Sequence, residues 1–550
     1  TVLPPATTVL PPATTVLPPA TTVLPPATTL TQVTTSFNLL VNTFKVMHED
    51  IVDEDNIIVS PSIWREKRIA AVLLVDKMYG KEKNKLLYKC IPYNKNLPIF
   101  LVAYENKQEF SKTHKHKYVL LEFKHWNNKH PLGQLVQTFG TVDNLSCLYD
   151  YLLFALDIHS SNQLFTKRFM VEYKNDTRQN HIKEMKKQYN LEDRTPYEIY
   201  TIDGETTRDF DDAIGLTQYK DKDIFSIYIS NPVLWMDYLN LWEYYGDRMS
   251  SVYLPDRVVN MLPNMMSNKV VGLLEGETSI AFAMDITIVA DKIESVDYKN
   301  VLIKVKKNYR YEESTLLKNP MYKTIVRLLS NIGMRVENSY KCIEKWMIYF
   351  NSKIGETLSQ YNSGVFRYCR VLNTNHKSIP SPLIDYISWG ETNSGYSLYK
   401  KELSHGVLGV SYYAQMSSPI RRIVDILNMI EMHEQKAMCK LSANTIHYKN
   451  RWLTKIEDIN TTIRSIKRLE SDTKLLKYYL NTENVSKRVY EGYIVAILDE
   501  KIFKVFIPEL EVTSILKRIQ PMALYTKIQC TLCLLQDEVN IIQKIRLNII

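Results

Sequence analysis

Cysteine is scarce in this chain of 550 residues: there are seven, scattered along its length. An odd, unclustered set makes no disulfide framework and points to a reducing compartment. Only Cys530 and Cys533 form a C-x-x-C, and no second pair completes a tetrahedral zinc site. Both read as small apolar residues on a C-terminal strand. Long apolar runs are missing too. No stretch approaches the ~20 residues that cross a bilayer, and no signal peptide is recognisable, so no membrane partner is expected.

A large excess of one charge is also absent. The 69 Lys and Arg stand against 60 Asp and Glu, leaving +9, a weak pointer to a polyanionic partner. The excess is local. From Arg65 to Lys129 there are 15 Lys and Arg but 6 Asp and Glu, so this stretch alone accounts for the net charge. The chain has 36 tyrosines, several beside basic residues. Aromatic faces on a cationic surface are how single strands of nucleic acid are held. A hydrophobic content of 45% is ordinary for a globular protein, and the length suits several domains.

Residues 1–28 are four copies of TVLPPAT. Paired prolines in every copy exclude a heptad helix, so residues 1–33 are expected to be an extended or disordered tail. Strand-like runs (IAAVLLVD, PIFLVAY, YVLLEF) follow in a basic segment, 66–145, which reads as a small nucleic-acid-binding β-barrel. Residues 146–196 read as a helical connector. From 197 strands return (YEIYTID, IFSIYIS, IAFAMDITIV), and 320–480 is mainly helical. After 486 the pattern YEGYIVAIL, IFKVFIPEL fits a second small barrel. The fold class expected is α+β: a mixed α/β core flanked by β-barrels of OB type.

Against this background one stretch stands out. TIDGETTRDFDDAIG places Asp203, Asp209, Asp211 and Asp212 within ten positions, interleaved with Phe210, Ala213 and Ile214. An EF-hand counted from Asp209 fails, because position six is Ile214 and position twelve is Lys220. A sugar-nucleotide D-x-D site is too short a pattern to weigh. Carboxylates crowded at a strand end repel one another unless cations neutralise them. Hard oxygen donors suit Mg²⁺ or Mn²⁺, and phosphoryl transfer by two metals commonly needs such a set.

Two further features bear on a phosphate substrate. In SSPIRRIVDIL, Ser418 suits an N-cap and Pro419 the first helical position, so a helix is expected to begin there. Arg421 and Arg422 would then oppose the helix dipole, which a bound phosphate explains; the alternative is that one of them pairs with Asp425. Second, Ile456, Ile459, Ile463 and Ile466 step at helical spacing, with Leu480 further along the same face. The position expected to continue that stripe is Glu470, which calls for a partner or a metal unless it tilts to solvent.

These motifs resemble the ribonuclease II/R family, whose shared catalytic unit is the RNB domain. TIDGETTRDFDDAIG resembles its signature aspartates, RMSSVYLPDRVVNMLP its next block, YAQMSSPIRRIVD its arginine block and KRLESD its late glutamate block. KCIPYNKNLPIFLV and FKHWNNKHPLGQLVQTFG are similar to the second cold-shock barrel, particularly of eukaryotic exosome-type members. The region 486–550 is similar to the S1 barrel, and 34–65 to a remnant of a first cold-shock barrel, with VMHEDIV as its last strand. The resemblance assigns 197–485 to the RNB domain and implies a 3′–5′ exoribonuclease releasing nucleoside 5′-monophosphates from single-stranded RNA. By matched position, Asp203, Asp209, Asp211 and Asp212 would hold Mg²⁺ or Mn²⁺. Tyr253 would pack on the 3′-terminal nucleotide, and Tyr311 matches a second aromatic, with Tyr309 as its rival in register. Arg421 would grip a phosphate near the cleaved bond and Glu470 would face the 3′ end. Glu344 fits a further RNA-contacting acid. Asp211, Arg421 and Glu470 are the expected catalytic set.

The pattern departs from the family in places. The segment between Tyr311 and Glu344 is short, and lacks the stretch carrying an aromatic that wedges between bases. DILNMI lacks a His-Arg pair, Ile423 replaces a tyrosine, and Asn231 replaces an aspartate. These departures give a second expectation: a weak or inactive RNB protein that binds RNA or serves in assembly. A nuclease for single-stranded DNA is the third. The resemblance further implies a monomer in the cytoplasm, or alternatively the nucleus. It implies no attachment to an exosome core, because no PIN-type domain precedes the barrel.

Overall fold

The computed structural model describes residues 45–550 apart from 56, 106–114, 160, 175, 291, 332, 334, 371–379, 389–393, 402, 519 and 538–541. The TVLPPAT repeats and the tail expected over 1–33 lie outside the described residues. Residues 45–65 form no separate barrel. A short hairpin pairs Ile51–Val52 with Ile58–Ser60. Met47 enters the core of the next domain, and Asp50 Oδ2 accepts from Arg65 Nη2 at 2.6 Å.

Five strands then close into a barrel: β1 (Ile69–Glu82), β2 (Lys85–Pro92), β3 (Phe100–Tyr104), β4 (Lys117–His125) and β5 (Leu132–Thr141), in the order β1-β2-β3-β5-β4. Alternation sends Ala71, Leu73, Val119 and Leu121 inside. It sends Ala70, Val72, Tyr118 and Leu120 outward, onto helix α1 (Leu145–Ala155), where Tyr118 stacks on Tyr151 at 4.6 Å. Helices α2 (Gln163–Lys174) and α3 (Arg178–Gln188) complete the connector.

The core is a seven-stranded sheet built from β6 (Glu192–Arg194), β7 (Ile199–Asp203), β8 (Asp212–Gln218), β9 (Asp223–Ser230), β10 (Thr278–Val289), β11 (Lys292–Lys304) and β12 (Lys307–Arg310). Their order is β12-β7-β8-β9-β10-β11-β6. The inner pairs are antiparallel; the edges β12 on β7 and β6 on β11 are parallel. The run TSIAFAMDITIV lacks polar alternation because both faces of β10 are covered. Ile280, Phe282, Met284 and Ile286 meet the main cluster, while Ala281 and Ala283 meet Ile199, Ala213 and Tyr228.

Helices α4 (Pro232–Tyr238), α5 (Ser314–Lys318), α6 (Pro320–Asn331) and α7 (Ser339–Gln360) lead to a hairpin, β13 (Val365–Cys369) with β14 (Ser394–Leu398). Between those two strands lies α8 (Ser381–Ser388). Helices α9 (Ile423–Gln435), α10 (Ala443–Leu453) and α11 (Ile456–Asn481) follow. Residues 423–433 of α9 are buried all round, which makes it the central helix of the domain. The second barrel has β15 (Tyr490–Asp499), β16 (Ile502–Ile507), β17 (Val512–Lys517), β18 (Lys527–Asp537) and β19 (Ile542–Ile549), closed as β15-β16-β17-β19-β18. Both barrels have the strand order of an OB fold. Cys530 and Cys533 lie on β18, and all seven cysteines are free.

Two sequence expectations change. The arginine helix starts at Ile423, with Arg422 at the N-cap, so Ser418 and Pro419 belong to the turn before it. Asp425 decides this: its buried Oδ1 accepts from Ser418 N–H (2.7 Å) and from Arg422 Nη2 (2.8 Å), folding the turn back onto the first helical residues. The buried stripe of α11 runs through Ile459, Ile466, Leu469, Thr473 and Leu476; Ile463 is half-buried and Leu480 is 42% exposed. Glu470 therefore flanks the stripe.

Candidate active site

Strand β7 ends at Asp203 and strand β8 begins at Asp212, so the two flank the loop that carries Asp209 and Asp211. That loop is fixed by backbone bonds: Ser230 N–H donates to Asp211 O at 2.8 Å, and Leu273 N–H to Phe210 O at 3.0 Å. Gly215, two residues into the antiparallel pair, allows β7 and β8 to close; a Cβ there would stand 3.0 Å from Glu198 O. Asn308 of β12 braces the same edge, donating to Thr201 Oγ1 at 2.7 Å and to Leu273 O at 3.0 Å.

The arginine turn reaches the aspartates from the far side of the domain. Asp211 is 3% exposed. Its Oδ1 accepts from Ile420 N–H at 3.0 Å and its Oδ2 from Arg421 Nε at 3.3 Å. Arg421 Nη2 also donates to Ser418 Oγ at 3.0 Å, yet 43% of the Arg421 side chain stays exposed. Arg422 turns the other way, to Asp425. The two neighbours thus divide the two explanations read from sequence, one facing the acids and one serving the fold.

The turn is itself positioned by α7. Asn351 Oδ1 accepts from Met416 N–H at 2.8 Å, and its Nδ2 donates to Ser417 Oγ at 3.0 Å. Gly355 lets the chain lie against the helix: an added Cβ would stand 2.7 Å from Tyr412 O. On the other flank Ser251 N–H and Ser250 Oγ both donate to Arg421 O at 3.0 Å. The same segment then presents Tyr253, 45% exposed, whose N–H donates to Glu470 Oε1 at 2.7 Å. Thus Asp211, Arg421, Tyr253 and Glu470 form a connected wall.

Tyr311 N–H donates to Asp203 O at 2.9 Å, and its ring meets Tyr340 edge-on at 5.4 Å. Burial raises its phenol, with Asp212 and Asp203 adding to the rise. Tyr309 instead packs into the core against Tyr200, and of the two tyrosines it is Tyr311 that lies beside the carboxylates. Glu344 lies on α7, and its ion pair is with Lys341 at 2.8 Å, not with a group of the cluster. Asn231, where an aspartate was expected, is the N-cap of α4, accepting from Leu234 N–H, and meets Asn300 and His433 in a buried cluster. Sequence reading missed Asn351, Asn308 and the Ile420 N–H. Nothing marks an asparagine as a brace until its partners are known.

The electrostatics of the cluster are those of acids out of water. Burial pushes Asp211 up to about 7 against the pull of Arg421 and the Ile420 N–H. Burial also raises Asp203 and Asp212; the Asp211 charge lifts Asp203 further and the Asp203 charge lifts Asp212. Asp209 is raised by burial. Glu470 is pushed by burial to about 7, with the Tyr253 N–H working against it. Asp203 Oδ2 and Asp209 Oδ1 are buried with no hydrogen-bond partner. Among the described residues no three His, Cys, Asp or Glu side chains already stand close enough together to hold a metal ion. The donor chemistry nevertheless fits a hard divalent cation: all oxygen, mutually repelling, with two oxygens unsatisfied.

Comparison with known proteins agrees with this geometry. A model of the RNB domain matches residues 190–321. Ribonuclease R of Ureaplasma parvum is 29% identical over 227 residues, which is 39% of this chain and 29% of that protein. This chain spans less than a third of the length of the curated relatives it matches. The apo form of Mycoplasma genitalium RNase R superposes with a TM-score of 0.67 at 15% identity, covering 92% of this chain and 95% of that one. Yeast Ssd1, described as a pseudonuclease, superposes with a TM-score of 0.53 at 13% identity, covering 86% of this chain and 69% of that one. At those identities the two structures show a shared fold.

Proposed function

From the premise that this chain belongs to the RNB-domain ribonuclease II/R family, we propose that it is a metal-dependent 3′–5′ exoribonuclease acting on single-stranded RNA. The observation that carries the reading is the buried carboxylate cluster Asp203, Asp209, Asp211 and Asp212 facing Arg421. Asp203, Asp209, Asp211 and Asp212 would hold Mg²⁺ or Mn²⁺. When bound, the cations supply a hydroxide nucleophile and stabilise the leaving oxygen.

The chain's own groups do the rest. Asp211 holds Arg421 through Nε, which fixes the plane of the guanidinium. The exposed part of that side chain then meets the phosphate of the bond to be cut. Tyr253 offers its ring to the terminal nucleotide. Glu470, held by the Tyr253 N–H, is placed to accept from the terminal hydroxyl and so to select an end over an interior position. Tyr311 closes the cluster on the side of β12 and keeps water away. Glu344 is a weaker candidate for RNA contact.

Purified protein with Mg²⁺ and 3′- or 5′-labelled RNA and DNA oligomers tests the proposal. Stepwise release of mononucleotides from RNA, abolished by Asp211→Asn with RNA binding retained, is the expected result. A second reading, an RNA-binding protein without nuclease activity, is favoured by the Arg421–Asp211 contact, which engages one of the acids a cation would need. RNA binding without any Mg²⁺-dependent shortening would establish it. Equal digestion of DNA would overturn the choice of substrate.

A further inference from the structure

Where α11 faces the second barrel there is a cavity of about 460 Å³, within the ~300–1,000 Å³ typical of small-ligand pockets. Its walls include Tyr253, Glu470, Tyr386 and Phe506, with Lys467, Lys474 and the acid Glu511, which pairs with Lys474 at 3.9 Å. Tyr386 comes from α8 and Phe506 from β16, far apart in sequence. Their rings stack at 4.2 Å with 22° between planes. Phe506 is 8% exposed and packs with Leu383, Tyr493 and Val495, and half-buried Tyr386 packs against that group.

The cavity adjoins another of about 440 Å³, with Lys467, Ser471 and Thr513 common to both. That neighbour is lined by Arg367, Arg464, Arg468, Lys504, Lys517 and Arg546 against the single acid Asp472. The lining gathers cations from β13, α11 and three strands of the second barrel. Arg468 pairs with Asp472 at 3.7 Å, and the surplus of positive charge in the lining suits a polyanion. An aromatic platform at one end of a cationic trench is the arrangement that holds single strands.

We infer that the stacked pair Tyr386–Phe506 is a base-stacking platform of this chain, taking one nucleobase of a single strand beside Glu470 while Lys467 and Lys474 lie along its phosphates. It rests on the proposal that RNA reaches the carboxylates.

The test separates the platform from the chemistry. The full-length Asp211→Asn protein is titrated into 5′-fluorescein oligo(A) RNA in Mg²⁺, followed by anisotropy at several salt concentrations. Adding Tyr386→Ala should weaken binding about fivefold or more, with an unchanged salt slope, and Tyr386→Phe should restore it. Lys467→Ala and Lys474→Ala should each reduce the salt slope by about 0.7. Against RNA made abasic over its 3′-terminal nucleotides, Tyr386→Ala should make no difference. Equal affinity for intact RNA with and without the Tyr386→Ala substitution overturns the platform, as does an equal loss on intact and abasic RNA. If the unmutated chain binds RNA with these signatures but never shortens it, the nuclease proposal fails and the platform stands. If it binds no RNA, both fail.

Discussion

The aspartate loop and the arginine turn face each other across the same site, yet they are held in opposite ways. The aspartate loop hangs between two adjacent strands, β7 and β8, and is fixed by backbone bonds to its own sheet. The arginine turn is held by side chains from elsewhere: Asn351 on α7, Asp425 one turn into α9, and Ser250 opposite. A locally braced element tolerates loss of distant residues; a turn held by single side chains depends on each of them. Charge is distributed accordingly. The loop presents acids that burial makes harder to ionise, and the turn sends one cation to them and one back into the fold.

The sharpest way to break the comparison is at the contact itself. Asp211→Asn should reduce RNA shortening about a thousandfold or more in a single-turnover assay, while circular dichroism stays unchanged. Arg421→Ala should cost about 10²–10³-fold in the same assay, the usual loss for a group stabilising transition-state charge. Arg422→Ala should behave differently. It leaves the buried Asp425 without its cation, so the expected loss is in stability, about 3–5 kcal/mol by urea denaturation, and Arg421→Ala should show no comparable loss. Asn351→Ala removes the brace of the turn without touching the acids. It should lower activity by about tenfold and stability by about 1–3 kcal/mol.

The smallest effect is the dependence on pH. These carboxylates have folded values above their ordinary 3.8, Asp211 at about 7. The folded protein therefore holds more protons than the unfolded chain between those values. Their contribution to stability is full below 3.8 and is lost as pH rises through about 7. Without divalent metal the melting temperature should fall from pH 6 to pH 8. Saturating Mg²⁺ should recover about 2–4 °C at pH 8 and less at pH 6, because ionised acids bind it better. A scan in chelator and in Mg²⁺ at both values measures this, and no difference between them would argue against a cation at these acids.

The same contrast explains what was legible in the sequence. Strands β7, β9 and β10 showed as apolar runs, and the aspartates showed because their spacing sits at the end of such a run. Both barrels were visible as short strands with turns. The arginine turn was misplaced by four residues, because Ser-Pro carries a good cap signal while the competing bond from Asp425 to Ser418 N–H is visible only in the fold. Glu470 was singled out for an imperfect reason: it flanks the stripe of α11 and does not interrupt it. Tyr311 could not be separated from Tyr309 until the register of β12 on β7 was known. The Tyr386–Phe506 pair had no signal at all, since 120 residues separate its members.

The outward face of the first barrel and the interior of the second belong to a single apolar cluster. Val72, Tyr118 and Leu120 of the first, Tyr151 of α1, Leu475 and Leu476 of α11, and Ile494, Phe503 and Val505 of the second all join it. The first barrel cannot detach without exposing that shared cluster. A strand drawn between them would thus pull against one stiff body, and its tension would pass along α11, which carries Glu470, toward Tyr253. The packing joins both barrels to the helix that carries Glu470 as one continuous unit.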